Sequence, residues 1–255
     1  MEKPDRHRES LRCAVIGAGA SGILALIKLK EAGYQRLVAY EKAEELGGTW
    51  WYNRYPGVAC DVPSHSYRFS FAPKADWTKV HSPGAEIHAY LRDVAHAHDV
   101  VGYIRFNEEI VSASWSGSEW ILKTASGATD AYDVVISAVG VLHHTAKPAF
   151  VGLDQFEGVV AHTREMPADL SVDGKWVGVI GSGSTSVQIV SNVIANVESL
   201  TLFQRTPQWV MPMENPFFTA EEKARFRDDP ALMRSEYERL NNELNTQFAA
   251  AVIGE

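Results

Sequence analysis

CAVIGAGASG, from Cys13 to Gly22, and VGVIGSGSTS, from Val177 to Ser186, are each an apolar run that ends in glycines and leads into a helix-like segment. Such a run reads as a buried parallel strand whose turn lets backbone N–H groups and a helix N-terminus approach a pyrophosphate. One such loop is a weak signal. Two in one short chain point to two dinucleotides held near each other, and so to electron transfer between cofactors. The fold class expected is α/β, with two dinucleotide-binding, Rossmann-like domains, the second incomplete.

Working outward from the first turn, Arg12 to Ile16 reads as a strand and Ser21 to Ala32 as the helix after it, stopped by Gly33. Arg36 to Tyr40 reads as a second strand ending at Glu41, about 20 residues past the glycines, where a carboxylate is expected to bind the hydroxyls of a ribose. Gly47 to Phe71 is aromatic and rich in Gly and Pro, which predicts an ordered functional loop. Gly84 to Val101 reads as a helix with Ile87, Leu91, Val94 and Ala95 on one face. His96 and His98, two apart, do not share a helix face and are not read as metal ligands. Ile104 to Trp115 and Glu119 to Thr124 predict a β-meander. Val134 to Ile136 reads as a fully buried strand returning to the first sheet.

In the second unit the strand, turn and helix are followed by a run from Leu200 to Arg205, the next parallel strand. Where the first unit closes on Glu41, this one closes on Arg205 and Thr206, a guanidinium and a hydroxyl that suit a 2′-phosphate. Gly181 and Gly183 are present, and Ser186 stands where a third glycine or alanine is expected. Its small side chain still allows close packing of helix on strand. Thr219 and Glu222 form a capping-box pattern that opens a helical segment over about 219–250. Met233, Tyr237, Leu240, Leu244 and Phe248 give that segment an apolar stripe. The chain does not obviously supply its cover, so these side chains are expected to be partly exposed and to promote association.

The 255 residues, 45% of them hydrophobic, suffice for one large core or two smaller ones, divided here as 1–150 and 151–255. The net charge of −8 argues against nucleic acid as a partner. With only Cys13 and Cys60, no disulfide framework or CxxC pair is available, which fits a reduced, cytoplasmic setting. The charged start does not read as a signal peptide, and no apolar run reaches the roughly 18 residues of a membrane span.

GAGASG with Glu41, then GGTWWYNRYPGVACD, IRF at Arg105, FEGVVAHTREMP, GSGSTSVQ and FQRTPQWVMP closely resemble, in that order, the flavoprotein monooxygenases of the Baeyer–Villiger class, relatives of the N- and S-oxygenating flavin monooxygenases. The resemblance covers about Leu11 to Pro212 and includes the linking motif at Phe156, Gly158 and His162. Met166 before Pro167 departs from the aromatic residue usual there. The resemblance implies FAD at the first site and NADP at the second. It also implies hydride transfer from NADPH to flavin, capture of O2 as a C4a-peroxide and insertion of oxygen into a ketone. The cofactor contacts it implies are Gly17, Gly19, Ser21, Gly22, Glu41, Gly48, Thr49, Trp50, Asp61, Tyr67, Gly181, Gly183, Ser184, Thr185, Ser186, Gln188, Arg205 and Thr206. Asp61 is the catalytic candidate, placed near flavin and NADP and positioning an arginine. His162 is implied to be structural. The family's chains continue beyond the point matching Glu255, so a fragment with little activity alone is expected. N- or S-oxygenation, an NADPH–flavin reductase and a non-catalytic FAD-binding module remain open alternatives.

Overall fold

A short helix, α1 (Arg6–Ser10), precedes β1 (Arg12–Ile16), whose Cys13, Ala14 and Val15 are fully buried, as a run of small and β-branched residues covered on both faces should be. The structure is a computed structural model and describes residues 6–167 and 169–253. After α2 (Ala20–Glu31) comes β2 (Arg36–Tyr40), then a one-turn helix α3 (Thr49–Tyr52) and a longer α4 (Gly84–Ala97). β3 (Ile104–Arg105), β4 (Ile110–Trp115), β5 (Trp120–Thr124), β6 (Thr129–Tyr132) and β7 (Val134–Ser137) follow. One sheet is wholly parallel in the order β3-β2-β1-β7. Its register pairs Ile16 with both Tyr40 and Ser137, so the turn at Gly17, Glu41 and Ala138 stand in one row at the carboxyl ends of the strands. That edge is where open α/β sheets bind ligands.

The antiparallel sheet β4-β5-β6 is fastened to the parallel one by packing and by charge. Ala14, Val38, Tyr40, Leu122 and Tyr132 form one buried cluster. Within it the Tyr40 hydroxyl donates to Asp130 at 2.6 Å and lies 2.6 Å from the Tyr132 hydroxyl. Burial, then the bond to Asp130, pushes the Tyr40 phenol well above its ordinary range. Arg12 reaches Glu119 at 2.7 Å and Asp133 at 3.0 Å, and the guanidinium holds the Asp133 carboxyl down at about 2.

The chain divides into two compact units: residues up to Asn53 with His88–Arg164, and Arg54–Ile87 with residues from Glu165 onward. In the second, β8 (Trp176–Ile180) and β9 (Ser199–Phe203) pair in parallel on either side of α5 (Ser184–Val193) in sequence. Ile189 and Val193 of α5 pack with Val179, Leu200 and Tyr55. α6 (Ala220–Asp228) opens with the expected capping box between Thr219 and Glu222. The helical segment then breaks. Asp229 Oδ1 accepts from the amides of Ala231 and Leu232, and α7 (Pro230–Ile253) starts on a proline, which has no amide to leave unpaired there.

Four expectations need correction. β7 is half-buried rather than fully buried, because it has a neighbour on one side only. The meander has a third strand, β6, while Ile104 and Arg105 belong to the parallel sheet. The aromatic loop contains α3. Most consequential, Met233 and Leu240 of the apolar stripe are each only 8% exposed. Tyr237 and Leu244 are half-buried, and the Phe248 side chain lies outside the described residues. The loop expected to be functional meets this helix: the Arg68 guanidinium lies 4.3 Å from the Tyr237 ring and donates to the Met233 carbonyl at 3.4 Å.

Candidate functional site

In the first unit the site is the turn between β1 and α2. Gly17 has φ of 102°, and a Cβ there would lie 2.5 Å from the Ala138 carbonyl oxygen. A Cβ at Gly22 would lie 1.9 Å from the Gly17 oxygen, so the helix can approach the strand this closely only with glycine. α2 carries no side-chain cap, and among the described residues the amides of Gly19, Ala20, Ser21 and Gly22 have no acceptor. Four open donors at the positive end of a twelve-residue helix make an anion site.

Glu41 is 5% exposed, and its carboxylate accepts from the amides of Ala18 at 2.8 Å and Ala43 at 2.9 Å. Each oxygen keeps a further lone pair for a hydroxyl donor. Gly48, Thr49 and Trp50 are brought to the same place. Gly47 donates to the Ala18 carbonyl at 2.9 Å, and Gly48 lies against Gly19 so closely that a Cβ would come within 2.9 Å of the Gly19 Cα. Two contributors were not legible from the sequence. The Ala138 backbone closes over Gly17, and His88 Nε2 donates to the Leu46 carbonyl at 3.0 Å while its ring packs on Trp51.

In the second unit the hub is Gln188, whose side-chain amide is fully engaged. Its Nε2 donates to Asp61 Oδ1 at 2.8 Å and to the Ala59 carbonyl at 3.1 Å. Its Oε1 accepts from the Tyr55 hydroxyl at 2.9 Å and the Ala59 amide at 3.4 Å. The exposed Asp61 is thus aimed by a carboxamide from α5. Tyr55, which the sequence reading missed, is raised in pKa first by burial and further by the charge of Asp61. Burial also pushes the neighbouring Cys60 thiol up to about 11. A thiol so shifted is a poor nucleophile.

Gly183 caps α5 without a side chain, and the amides of Ser184 and Thr185 have no acceptor among the described residues. Ser186 is 8% exposed, and its hydroxyl would be 3.8 Å from a Cβ on Gly181, so here the third position does admit a small side chain. Past β9, Arg205 and Thr206 are exposed. The Thr206 carbonyl accepts from Ser182 at 3.1 Å, and the Arg205 guanidinium has no ionic partner among the described residues. Tyr67 is half-buried in a turn, its amide bonded to the carbonyls of Pro63 and Ser64. His162 Nδ1 accepts from the Arg164 amide at 3.2 Å, a local backbone role. Among the described residues no group of three His, Cys, Asp or Glu could hold a metal, and no helix is long and apolar enough to cross a membrane.

With this geometry in view, comparisons with known proteins agree with one another. The flavin-binding monooxygenase-like family model matches residues 10–217. An uncharacterised monooxygenase of Mycobacterium tuberculosis is 41% identical over 239 residues, which are 94% of this chain and 48% of that protein. A Baeyer–Villiger monooxygenase of Streptomyces coelicolor is 40% identical over 233 residues, 91% of this chain and 45% of that protein. Among solved structures, a variant of cyclohexanone monooxygenase from Rhodococcus bound to NADP+ superposes with a TM-score of 0.81 at 37% identity, covering 86% of this chain and 43% of that one. The chain therefore spans less than half the length of each of these relatives.

Proposed function

We infer that this chain, which belongs to the flavin-binding monooxygenase-like family, holds FAD at the Gly17 turn and NADP at the Gly181 turn and serves an NADPH-dependent monooxygenase of ketones. The observation that carries this reading is the pair of uncapped helices, α2 and α5, each offering open amides at the carboxyl end of a parallel strand. Their donors fit two pyrophosphates. When bound, FAD supplies hydride acceptance from NADPH and the activation of O2.

The protein's own part is binding and orientation. The amides of Gly19, Ala20, Ser21 and Gly22 hold the first pyrophosphate, and Glu41 takes the ribose hydroxyls on its remaining lone pairs. Gly48, Thr49 and Trp50 wall the same turn. Ser184 and Thr185 hold the second pyrophosphate, with Gly183 as the bare cap and Ser186 under the turn. Arg205, without an acidic partner among the described residues, pairs with the 2′-phosphate, and Thr206 stands beside it. Gln188 fixes the direction of Asp61, a positioning residue through which negative charge is presented at the nicotinamide end. Tyr67 is assigned to the cofactor surface from the family resemblance alone. Ketones as the substrate class are supported by the relatives named as Baeyer–Villiger and cyclohexanone monooxygenases.

The test is the absorption spectrum of the purified chain, followed by anaerobic addition of NADPH or NADH. Flavin absorption is expected from the parent and not from Gly17→Val, whose side chain has no room beside Ala138. NADPH is expected to bind more tightly than NADH. Arg205→Ala should remove about 1.5–3 kcal/mol of that preference, roughly one to two decades in affinity. A colourless parent chain, or a nucleotide preference unmoved by Arg205→Ala, rejects the assignment.

A further inference from the structure

Within the second unit, beside the Ala59 backbone that Gln188 holds, a cleft of about 500 Å³ is lined by Lys79, His81, Asn192, Asn215 and the first residues of α4, Gly84 and Ala85. No carboxylate lines it. That is a marked composition in a chain of net charge −8. Lys79 Nζ has no ionic partner among the described residues and rests 4.4 Å from the centre of the Phe217 ring. His81 is 7% exposed, with its Nδ1 sealed from solvent and unpaired. Its backbone is clamped by Asn215, whose Oδ1 accepts from the His81 amide at 2.8 Å and whose Nδ2 donates to the His81 carbonyl at 2.9 Å. The imidazole is thus placed by a rigid frame and has no hydrogen-bond partner among the described residues.

The helix end adds to this. α4 has 14 residues, and its first amide, that of Gly84, is spent on the Val58 carbonyl at 2.8 Å. The next, that of Ala85, has no acceptor among the described residues. Glu86, the acid nearest the helix start, is turned away and bound to the Thr78 amide and hydroxyl. The Lys79 ammonium, the His81 imidazole, the second N–H of the Asn192 carboxamide and an open amide at a positive helix end therefore line one cleft, and an N–H of each can donate there, for His81 in the tautomer that carries its proton on Nε2. We propose that this cleft binds a small oxyanion, of the phosphate or carboxylate class, through Lys79, His81 and the Ala85 amide. Because Asn192 also donates to the Gln188 carbonyl at 2.8 Å, an occupant would brace the helix that carries Gln188. The proposal does not rest on the assignment of either dinucleotide site.

Titration of the purified chain with inorganic phosphate, and separately with acetate, at ionic strength held constant with chloride, tests this by two-dimensional amide and imidazole NMR. Saturable shifts of the Ala85 amide and the His81 ring are expected. The Lys79→Met variant keeps the aliphatic stem over Phe217 and should weaken the response at least tenfold. Lys123→Met, on β5 outside the cleft, should leave it unchanged. Phosphate alone giving the response identifies a phosphate site; acetate giving it as well identifies a carboxylate-tolerant one. Equal responses to chloride, or shifts in the parent that are linear in concentration and spread over many lysines, overturn the proposal. If Lys79→Met fails to fold, the parent's Ala85 and His81 signals still decide it.

Discussion

Gly22 and Ser186 occupy the same place in the two strand–turn–helix units, yet only one of them carries a side chain. At Gly22 a Cβ would sit 1.9 Å from the Gly17 oxygen and 2.9 Å from its carbon, both backbone atoms that cannot swing away. At Ser186 the side chain is buried but meets nothing closer on Gly181 than 3.8 Å from where a Cβ would be. The small serine is accommodated under the second turn, as its size predicts, and the two turns differ in tightness. Gly22→Ala should cost about 1–3 kcal/mol through backbone displacement and should lower the cofactor content of the purified chain. Ser186→Gly should cost under about 1 kcal/mol, the usual penalty of glycine within a helix. Urea midpoints for the two variants check this, and a larger loss in Ser186→Gly than in Gly22→Ala would show that the tightness is misplaced.

At the scale of elements, the junction of the parallel sheet with the three-stranded meander has a pH dependence that can be worked out. Asp133 precedes β7, accepts from the Arg12 amide at 2.7 Å and pairs with the Arg12 guanidinium, and its carboxyl is held down at about 2. A carboxyl whose folded pKa lies below its unfolded value stabilises the fold above the unfolded value, and that contribution disappears as pH falls through the folded one. Asp133→Asn should therefore destabilise the chain by about 1 kcal/mol at neutral pH, a modest figure because the pair is solvent-screened. The difference from the parent should shrink as pH drops from about 4 towards 2, as followed by denaturant titration at several pH values. A constant difference across that range would mean that Asp133 acts by packing and not by charge. Elements governed by local chemistry were the legible ones: β1 and β2 appear with the bounds read from apolar runs between turn residues, and the Thr219 cap forms as its spacing demands. What the sequence hid depends on partners far along the chain. β6 exists because β5 offers it an edge, β7 is half-buried because of its place in the sheet, and Tyr237 of the α7 stripe meets Arg68 from a loop more than 160 residues earlier. The site divides the same way. In the first unit the glycine turn and Glu41 stand in the local pattern, whereas His88 and Ala138 approach that turn through contacts that no local pattern announces; in the second unit the same holds for Tyr55 at Gln188.

For the molecule as a whole, the proposed function makes the balance between reducing a flavin and oxygenating a substrate depend on what surrounds Asp61. Its hydrogen-bond partner is the neutral amide of Gln188, and no ion pair to it is formed among the described residues. Ketone oxygenation requires the activated oxygen to survive until it meets substrate, which depends on exclusion of water and on fixed charge around the flavin. This chain spans less than half of relatives such as the Streptomyces coelicolor Baeyer–Villiger monooxygenase. On the second unit's own sheet, Trp176, Ile180 and Phe203 stand 78%, 58% and 55% exposed, so that face excludes no water. Given FAD, NADPH, oxygen and cyclohexanone, the 255-residue chain is therefore expected to consume NADPH and release hydrogen peroxide, with little lactone. Parallel assays of peroxide and lactone against NADPH consumed provide the measurement. Lactone formed in proportion to NADPH would show that the Asp61–Gln188 arrangement suffices for coupling, and that a charge supplied by an arginine is not needed in this chain.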